Sequence, residues 1–265
     1  MTSLDRMVAI VAGAGPGIGR ACAEALHREG ADVVVAARNE GRLAALALEI
    51  SGTTEGHQPG PGPRVVPVSF DLADLASCRT LVDETLDRLG RIDILVNVAT
   101  AGGETDSVAE GEWESWRHAF EVNVIGTLEL SRLAARAMAA NPGGSIIQVG
   151  TIGTRAVPAG RARYTATKSA MVTASLTMAK ELGRAHVRVN VVTPGFVTGA
   201  PLDAMIDAIA TRSGESADEV SARVAAGASL RRHVDPADVA EAVLFLAGPG
   251  ARNITGIELP VTAGR

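Results

Sequence analysis

The chain has 265 residues, 46% hydrophobic and 21% charged, an ordinary globular mixture with ample material for a core. A formal charge of −5 and an aromatic content of 3% argue against a nucleic-acid partner, which would want basic patches and stacking platforms. No apolar run reaches the ~18 residues that a membrane span needs, and "MTSLDRMVAIVAGAG" lacks the basic region, apolar stretch and cleavage site of a secretion signal. Cys22 and Cys78 sit inside predicted helices and suit buried thiols in a reducing compartment, so a cytoplasmic protein is expected. No metal-ligand spacing is present, and no metal is expected.

Strands are predicted at Met7–Ala12, Asp32–Ala37, Val65–Phe70, Ile92–Asn97, Ser145–Gly150, Val187–Thr193 and Ile257–Val261. Most are short, nearly continuous runs of Val and Ile, as in strands covered on both faces. Helical patterns fall between them, among them Ile18–Glu29, Arg42–Ile50, Leu75–Leu89 and Ala237–Leu246, with Gly30 and Gly90 as stops. This alternation predicts one α/β domain, 1–265, with a doubly wound parallel sheet between two helical layers. Right-handed crossovers then gather the strand C-terminal ends on one edge, where ligands bind.

The first predicted strand runs into "AGAGPGIGR", in which Gly13, Gly17 and Gly19 are spaced G-x-x-x-G-x-G. A sharp turn out of a strand, followed by a helix starting near Ile18, offers free N–H groups and a positive dipole end to a pyrophosphate. A plain glycine-rich turn is the competing reading. The second strand ends "VVVAARNEGRL", with Ala37 where a dinucleotide site often has an acid for the ribose hydroxyls, and Arg38 next. A guanidinium without a repelling carboxylate favours the 2′-phosphate of NADP(H) over NAD(H); in so arginine-rich a chain, Arg38 as a solvated surface charge is the rival. The stretch 52–63, "GTTEGHQPGPGP", is too rich in Gly and Pro for a helix and predicts a loop rather than a domain linker, because the alternation resumes at once. Asp71, just after the third strand, could accept from the adenine amino group or belong to the cap of the next helix.

Asn123, in "FEVNVIGT", falls within a helical pattern. Asparagine is a mediocre helix former, which hints at a hydrogen-bonding task, or else a satisfied polar core residue. The fifth strand ends "IIQVGT", placing Thr151 at the ligand edge as a hydroxyl donor, or as an ordinary strand-end cap. "RYTATKSA" holds Tyr164, the only tyrosine, four residues before Lys168, one of two lysines in the chain. At i and i+4 the two share a helix face. A phenol ionises near pH ~10. An adjacent ammonium is expected to lower that value towards general acid–base use. A compact ammonium could also hold ribose hydroxyls where a guanidinium is bulkier. Residues 199–231, inserted after the sixth strand, predict a helical lid. Met205, Ile206 and Ile209 there suit either an apolar compartment or packing against the core. Arg155, Arg161 and Arg163 suit an acidic substrate or plain surface charge.

Taken together, these residues resemble the short-chain dehydrogenase/reductase family over nearly the whole chain. "AGAGPGIG" is similar to its cofactor turn, "DILVNVAT" to its fourth-strand motif, "TPGFVTG" to the turn after its sixth strand, and "DPADVAEAVLFLAGPGARNITGIELPV" to its C-terminal helix and last strand. The resemblance implies a Rossmann-type sheet of seven strands, a dimer or tetramer, and hydride transfer between NADP(H), or NAD(H), and a small-molecule carbonyl/alcohol pair. It implies catalytic roles for Asn123, Thr151, Tyr164 and Lys168, with Tyr164 as acid/base, Lys168 on the nicotinamide ribose and Asn123 anchoring a water. Cofactor contacts are implied for Gly13, Gly17, Ile18 and Gly19 in the first turn and for Arg38, Asp71 and Leu72 after the second and third strands. Further contacts are implied for Asn97, Ala99, Tyr164, Lys168, Pro194, Gly195, Val197 and Thr198, the last meeting the carboxamide. The helices Leu128–Ala140 and Ala162–Gly183 are expected as interface surfaces. The chain departs from the family in having Thr151 for the usual serine and Asn97-Val98-Ala99-Thr100 for Asn-Asn-Ala-Gly. A dinucleotide-binding protein without catalysis is the alternative function.

Overall fold

The computed structural model describes residues 4–52, 62–102, 107–141 and 143–265. Most of the predicted loop 52–63 and the end of the loop after the fourth strand lie outside the described residues. Seven strands form one sheet: β1 (Val8–Ala12), β2 (Asp32–Ala37), β3 (Val65–Ser69), β4 (Ile94–Asn97), β5 (Gly144–Val149), β6 (Val187–Pro194) and β7 (Glu258–Val261). Their order is β3-β2-β1-β4-β5-β6-β7, and every neighbouring pair is parallel. The chain winds outward from β1 to β3, then returns to lay β4 on the other side of β1. The connections leaving β1 and β4 therefore run to opposite faces of the sheet and open a crevice at this edge, with Ala12 between Ala36 and Asn97.

Val and Ile run continuously because both faces are covered. Ala9 and Val11 point into the layer of α1 (Ile18–Arg28), α2 (Glu40–Ser51) and, later in the chain, the helix Pro236–Ala247. Ile10 and Ala12 point into the opposite layer. There α3 (Leu75–Leu89), α5 (Thr127–Ala139) and α7 (Ala162–Leu182) pack. α4 (Trp113–Phe120) runs into α5 through a wider, π-helical turn, Glu121–Gly126, so Asn123 stands in a helix bulge rather than in a regular helix. α6 (Gly153–Ala156) is one short turn after β5.

Element boundaries differ from the expectation where side chains intervene. β4 begins at Ile94 because the Asp93 carboxylate accepts from Val8 N at 2.9 Å and from Arg91 at 2.8 and 2.7 Å. α2 begins two residues early because Asn39 accepts from Arg42 N and caps it. The insertion 199–231 holds two helices, α8 (Ala200–Ser213) and α9 (Ala217–Ala226), before α10 (Pro236–Ala247). Ile206 is buried between α8 and α9, with Met205 and Ile209 packed beside it, so these side chains serve the insertion's own small core. Among the described residues no helix is long and apolar enough to cross a membrane.

Candidate active site

The glycine turn works by two different means. Gly13 adopts φ 98°, and a Cβ there would collide with the backbone of Ala99 where the ends of β1 and β4 converge. In contrast, nothing lies within 4 Å of a Cβ placed on Gly15 or Gly17, so the backbone there faces open space. Gly17 caps α1, whose N-terminus points its free N–H groups into that space. A crevice of about 920 Å³ opens from this cradle, lined by Gly13, Gly15, Ala37, Arg38, Asp71, Leu72 and Ala99. An open backbone cradle at a helix N-terminus, with the Arg38 guanidinium on its rim, fits the pyrophosphate and phosphate of a dinucleotide.

Several arginines are engaged in ion pairs, such as Arg20 with Glu49 at 2.6 Å and Arg155 with Glu258 at 3.2 Å. Arg38 lines the crevice and makes no ion pair among the described residues. Asp71 also lines the crevice, but its Oδ1 accepts from Ala73 N at 3.0 Å, and Asp74, not Asp71, caps α3. Gly15, Ser115, His118 and Arg163 line it too. Of these, the sequence motifs mark none as a cofactor contact; Gly15 sits inside the glycine turn but outside its spacing pattern.

Two expected contacts are placed differently. Asn97 is 3% exposed and lies beneath the crevice: its Nδ2 donates to Ser131 Oγ on α5 at 3.1 Å. It follows Leu95 by two residues and so faces the α5 layer, as strand alternation requires. The Asn123 side chain is saturated. Its Oδ1 accepts from Ala101 N at 2.8 Å and Thr100 Oγ1 at 3.0 Å, and its Nδ2 donates to Ala101 O at 2.8 Å and Thr167 Oγ1 at 2.9 Å. The amide thus clamps the loop after β4 to α7, and the side chain has no bond left for a water. Thr100, where the family has glycine, supplies one of those bonds. Thr167 went unmarked in the sequence; a second threonine in one helical turn beside the Tyr/Lys pair was its only signal.

Tyr164 and Lys168 stand one turn apart on α7, at the end of β5. The phenol faces the Thr151 hydroxyl, which favours its ionised form and whose Oγ1 accepts from Gly153 N at 3.2 Å. Burial pushes the phenol above its ordinary value, against smaller lowering effects from Thr151 and from Arg161, whose guanidinium lies 5.1 Å from the ring centroid. The depression expected from Lys168 is not among the effects acting on the phenol; desolvation dominates, and the phenol is a protonated acid near neutral pH. Lys168 is buried, its Nζ donates to Val149 O at 2.9 Å, and burial lowers its pKa to about 8. Pro194, Gly195, Val197 and Thr198 form the turn leaving β6, where Gly195 N donates to Val261 O and Thr198 N to Val234 O, both at 2.9 Å.

A lysine whose folded value is lowered binds fewer protons than the unfolded chain between about pH 8 and 10.5. Its burial thus costs stability below that window, and the cost shrinks as pH rises through it. Lys168→Met is expected to raise stability near neutral pH by about 1 kcal/mol after the lost bond to Val149 O is counted. Urea melts check this, with the gain disappearing by about pH 10.

The family model described as enoyl-(acyl carrier protein) reductase matches residues 13–265. A sorbitol dehydrogenase from Cereibacter sphaeroides is 35% identical over 98% of both chains. Carveol dehydrogenase from Mycobacterium avium, solved in complex with NAD, superposes with a TM-score of 0.90 at 26% identity, covering 100% of this chain and 99% of its own. L-sorbose reductase from Gluconobacter frateurii, solved with NADPH and L-sorbose, does so with a TM-score of 0.90 at 27% identity, covering 99% and 97%. Both complexes hold a nicotinamide dinucleotide. With the parallel sheet, the glycine cradle and the Thr/Tyr/Lys cluster, this match over nearly the full length places the chain in the short-chain dehydrogenase/reductase family, nicotinamide-dependent oxidoreductases acting on CH–OH and C=O groups.

Proposed function

We propose that the chain is an NADP(H)-dependent reductase that interconverts a small-molecule carbonyl and its alcohol, with Tyr164 as the acid/base. The observation that carries this is the Thr151–Tyr164 hydroxyl pair with Lys168 one turn on. Bound nicotinamide supplies the hydride. Tyr164 Oη gives its proton to the carbonyl oxygen, and Thr151 Oγ1 polarises the same oxygen. Lys168 exchanges its bond to Val149 O for the nicotinamide ribose hydroxyls and steadies the phenolate that forms. Asn123 holds the loop after β4 against α7, fixing the wall behind the reacting groups. The α8–α9 unit serves as lid.

Arg38 at the crevice rim, without an ion pair among the described residues, supports NADP(H) over NAD(H). Arg155 is engaged by Glu258 and Arg161 by the Tyr164 ring, which removes two of the three arginines that suited an acidic substrate. The buried thiols of Cys22 and Cys78 support a reducing, cytoplasmic setting. Exposed Phe120 and Ile125, near α5, support a homo-oligomer with α5 and α7 at its interface.

The test is a fluorescence titration with NADPH and NADH followed by a carbonyl screen with the preferred cofactor. Losing one guanidinium–phosphate pair costs about thirtyfold in affinity. Arg38→Ala is therefore expected to weaken NADPH by that factor and NADH by less than about threefold. Equal weakening of both would remove the NADP assignment. Tight binding with no turnover across the panel would favour a non-catalytic binding protein.

A further inference from the structure

The insertion after β6 carries more than a lid's usual anchorage. α8 and α9 close on Leu202, Ile206, Val220 and Val224, and Phe196 packs against this cluster. Phe196 belongs to the turn leaving β6, between Gly195 and Val197. Val197 bridges Val234, with Val234 N donating to Phe196 O at 2.9 Å. The far end of the insertion rests on the segment that follows β7. Leu230 N donates to Ala263 O at 2.9 Å, and Ser229 Oγ to Gly264 O at 2.8 Å. Arg231 and Ala263 both hold left-handed backbone, φ 52° and 54°. Non-glycine residues keep that conformation when the surrounding contacts over-determine it.

One side chain closes this arrangement. Arg265 Nη1 donates to Val224 O at 3.0 Å, in the last turn of α9, and the guanidinium carbon lies 4.4 Å from the centre of the Phe196 ring. A Cβ on Gly227 would stand 2.9 Å from the same guanidinium, so the fit is tight. A cation suits both partners: the negative end of a helix and the face of an aromatic ring.

We propose that Arg265 is a positioning residue that latches the α8–α9 lid to the Gly195–Thr198 turn, and so sets substrate affinity by holding the lid closed. The proposal rests on the reductase reading of the site. The lid has its own apolar core and moves as one body, pivoting on 197–199 and 229–234. Losing the guanidinium leaves that core and the strand-like base intact but removes the tie between the end of α9 and the Phe196 ring. Binding of the carbonyl substrate then weakens, while proton transfer from Tyr164 in the closed complex is unaltered.

Hydrogen exchange read by mass spectrometry tests this without turnover. In Arg265→Ala, exchange in peptides covering 199–231 is expected to quicken about tenfold, with β1, β4 and β5 unchanged. Arg265→Lys, which keeps a cation on the ring, is expected to restore most of the protection. With a reducible substrate and NADPH, the alanine variant is expected to raise KM about tenfold and change kcat less than about threefold. Unchanged exchange in the lid overturns the proposal. So does exchange that rises equally through the sheet, a lysine variant no better than alanine, or a fall in kcat with KM fixed. If the reductase reading fails instead, the unsubstituted protein shows no turnover while the exchange difference between variants stands.

Discussion

Tyr164→Phe is expected to lower turnover about a thousandfold while leaving NADPH affinity within about twofold. The substitution deletes a single oxygen. The ring that carries Arg161 at 5.1 Å remains, and Thr151 keeps its bond from Gly153 N. Stability should hardly change, so the loss reads on chemistry. On the proposed reading, the phenol, raised by burial, is the proton donor for carbonyl reduction across neutral pH. Phenylalanine leaves the developing alkoxide with only the Thr151 hydroxyl. Single-turnover kinetics with pre-bound NADPH isolate the step. Retained turnover in that experiment would transfer the acid role away from Tyr164.

The second large effect lies in the glycine turn. Gly13→Ala is expected to destabilise the protein by about 3 kcal/mol and to weaken the cofactor at least about tenfold. Two costs coincide at this position: a left-handed φ of 98°, and a Cβ driven into the Ala99 backbone. Neither neighbour can give way cheaply, because Gly13 N donates to Ala36 O and Ala99 N to Ala12 O, at 2.8 and 2.9 Å. Gly15→Ala is the informative partner. Its Cβ meets nothing within 4 Å, so stability is expected to hold while the methyl intrudes on the cofactor's space. Thermal melts and NADPH titrations of the two variants separate packing from binding. A stable Gly13→Ala protein would mean that β1 and β4 can spread apart, contrary to their register.

Much of this site was legible residue by residue because its chemistry is local. Tyr164 and Lys168 share a helix face at i and i+4, and a helix needs no tertiary information to bring them together. Thr151 ends a strand whose Val and Ile pattern marks it. The glycine spacing between strand and helix likewise encodes a turn. What Asn97 and Asn123 do was not legible. Each points across space to groups far along the chain, Ser131 in one case and Thr100, Ala101 and Thr167 in the other. Both amides turned out to hold elements together. The phenol's acidity was misjudged for a related reason: an adjacent cation can be counted from sequence, but desolvation depends on everything packed around the group.

The amino-acid order alone determined the strand–helix alternation, the parallel sheet with its crevice, and the Tyr164/Lys168 pair, because periodicity and short spacings express backbone geometry directly. Only the tertiary structure decided that Arg38 stands at the crevice rim, that Asn97 lies beneath the site, and that Arg265 reaches back to Phe196. Those facts depend on which distant groups meet and how much water they exclude, and sequence separation carries no record of either.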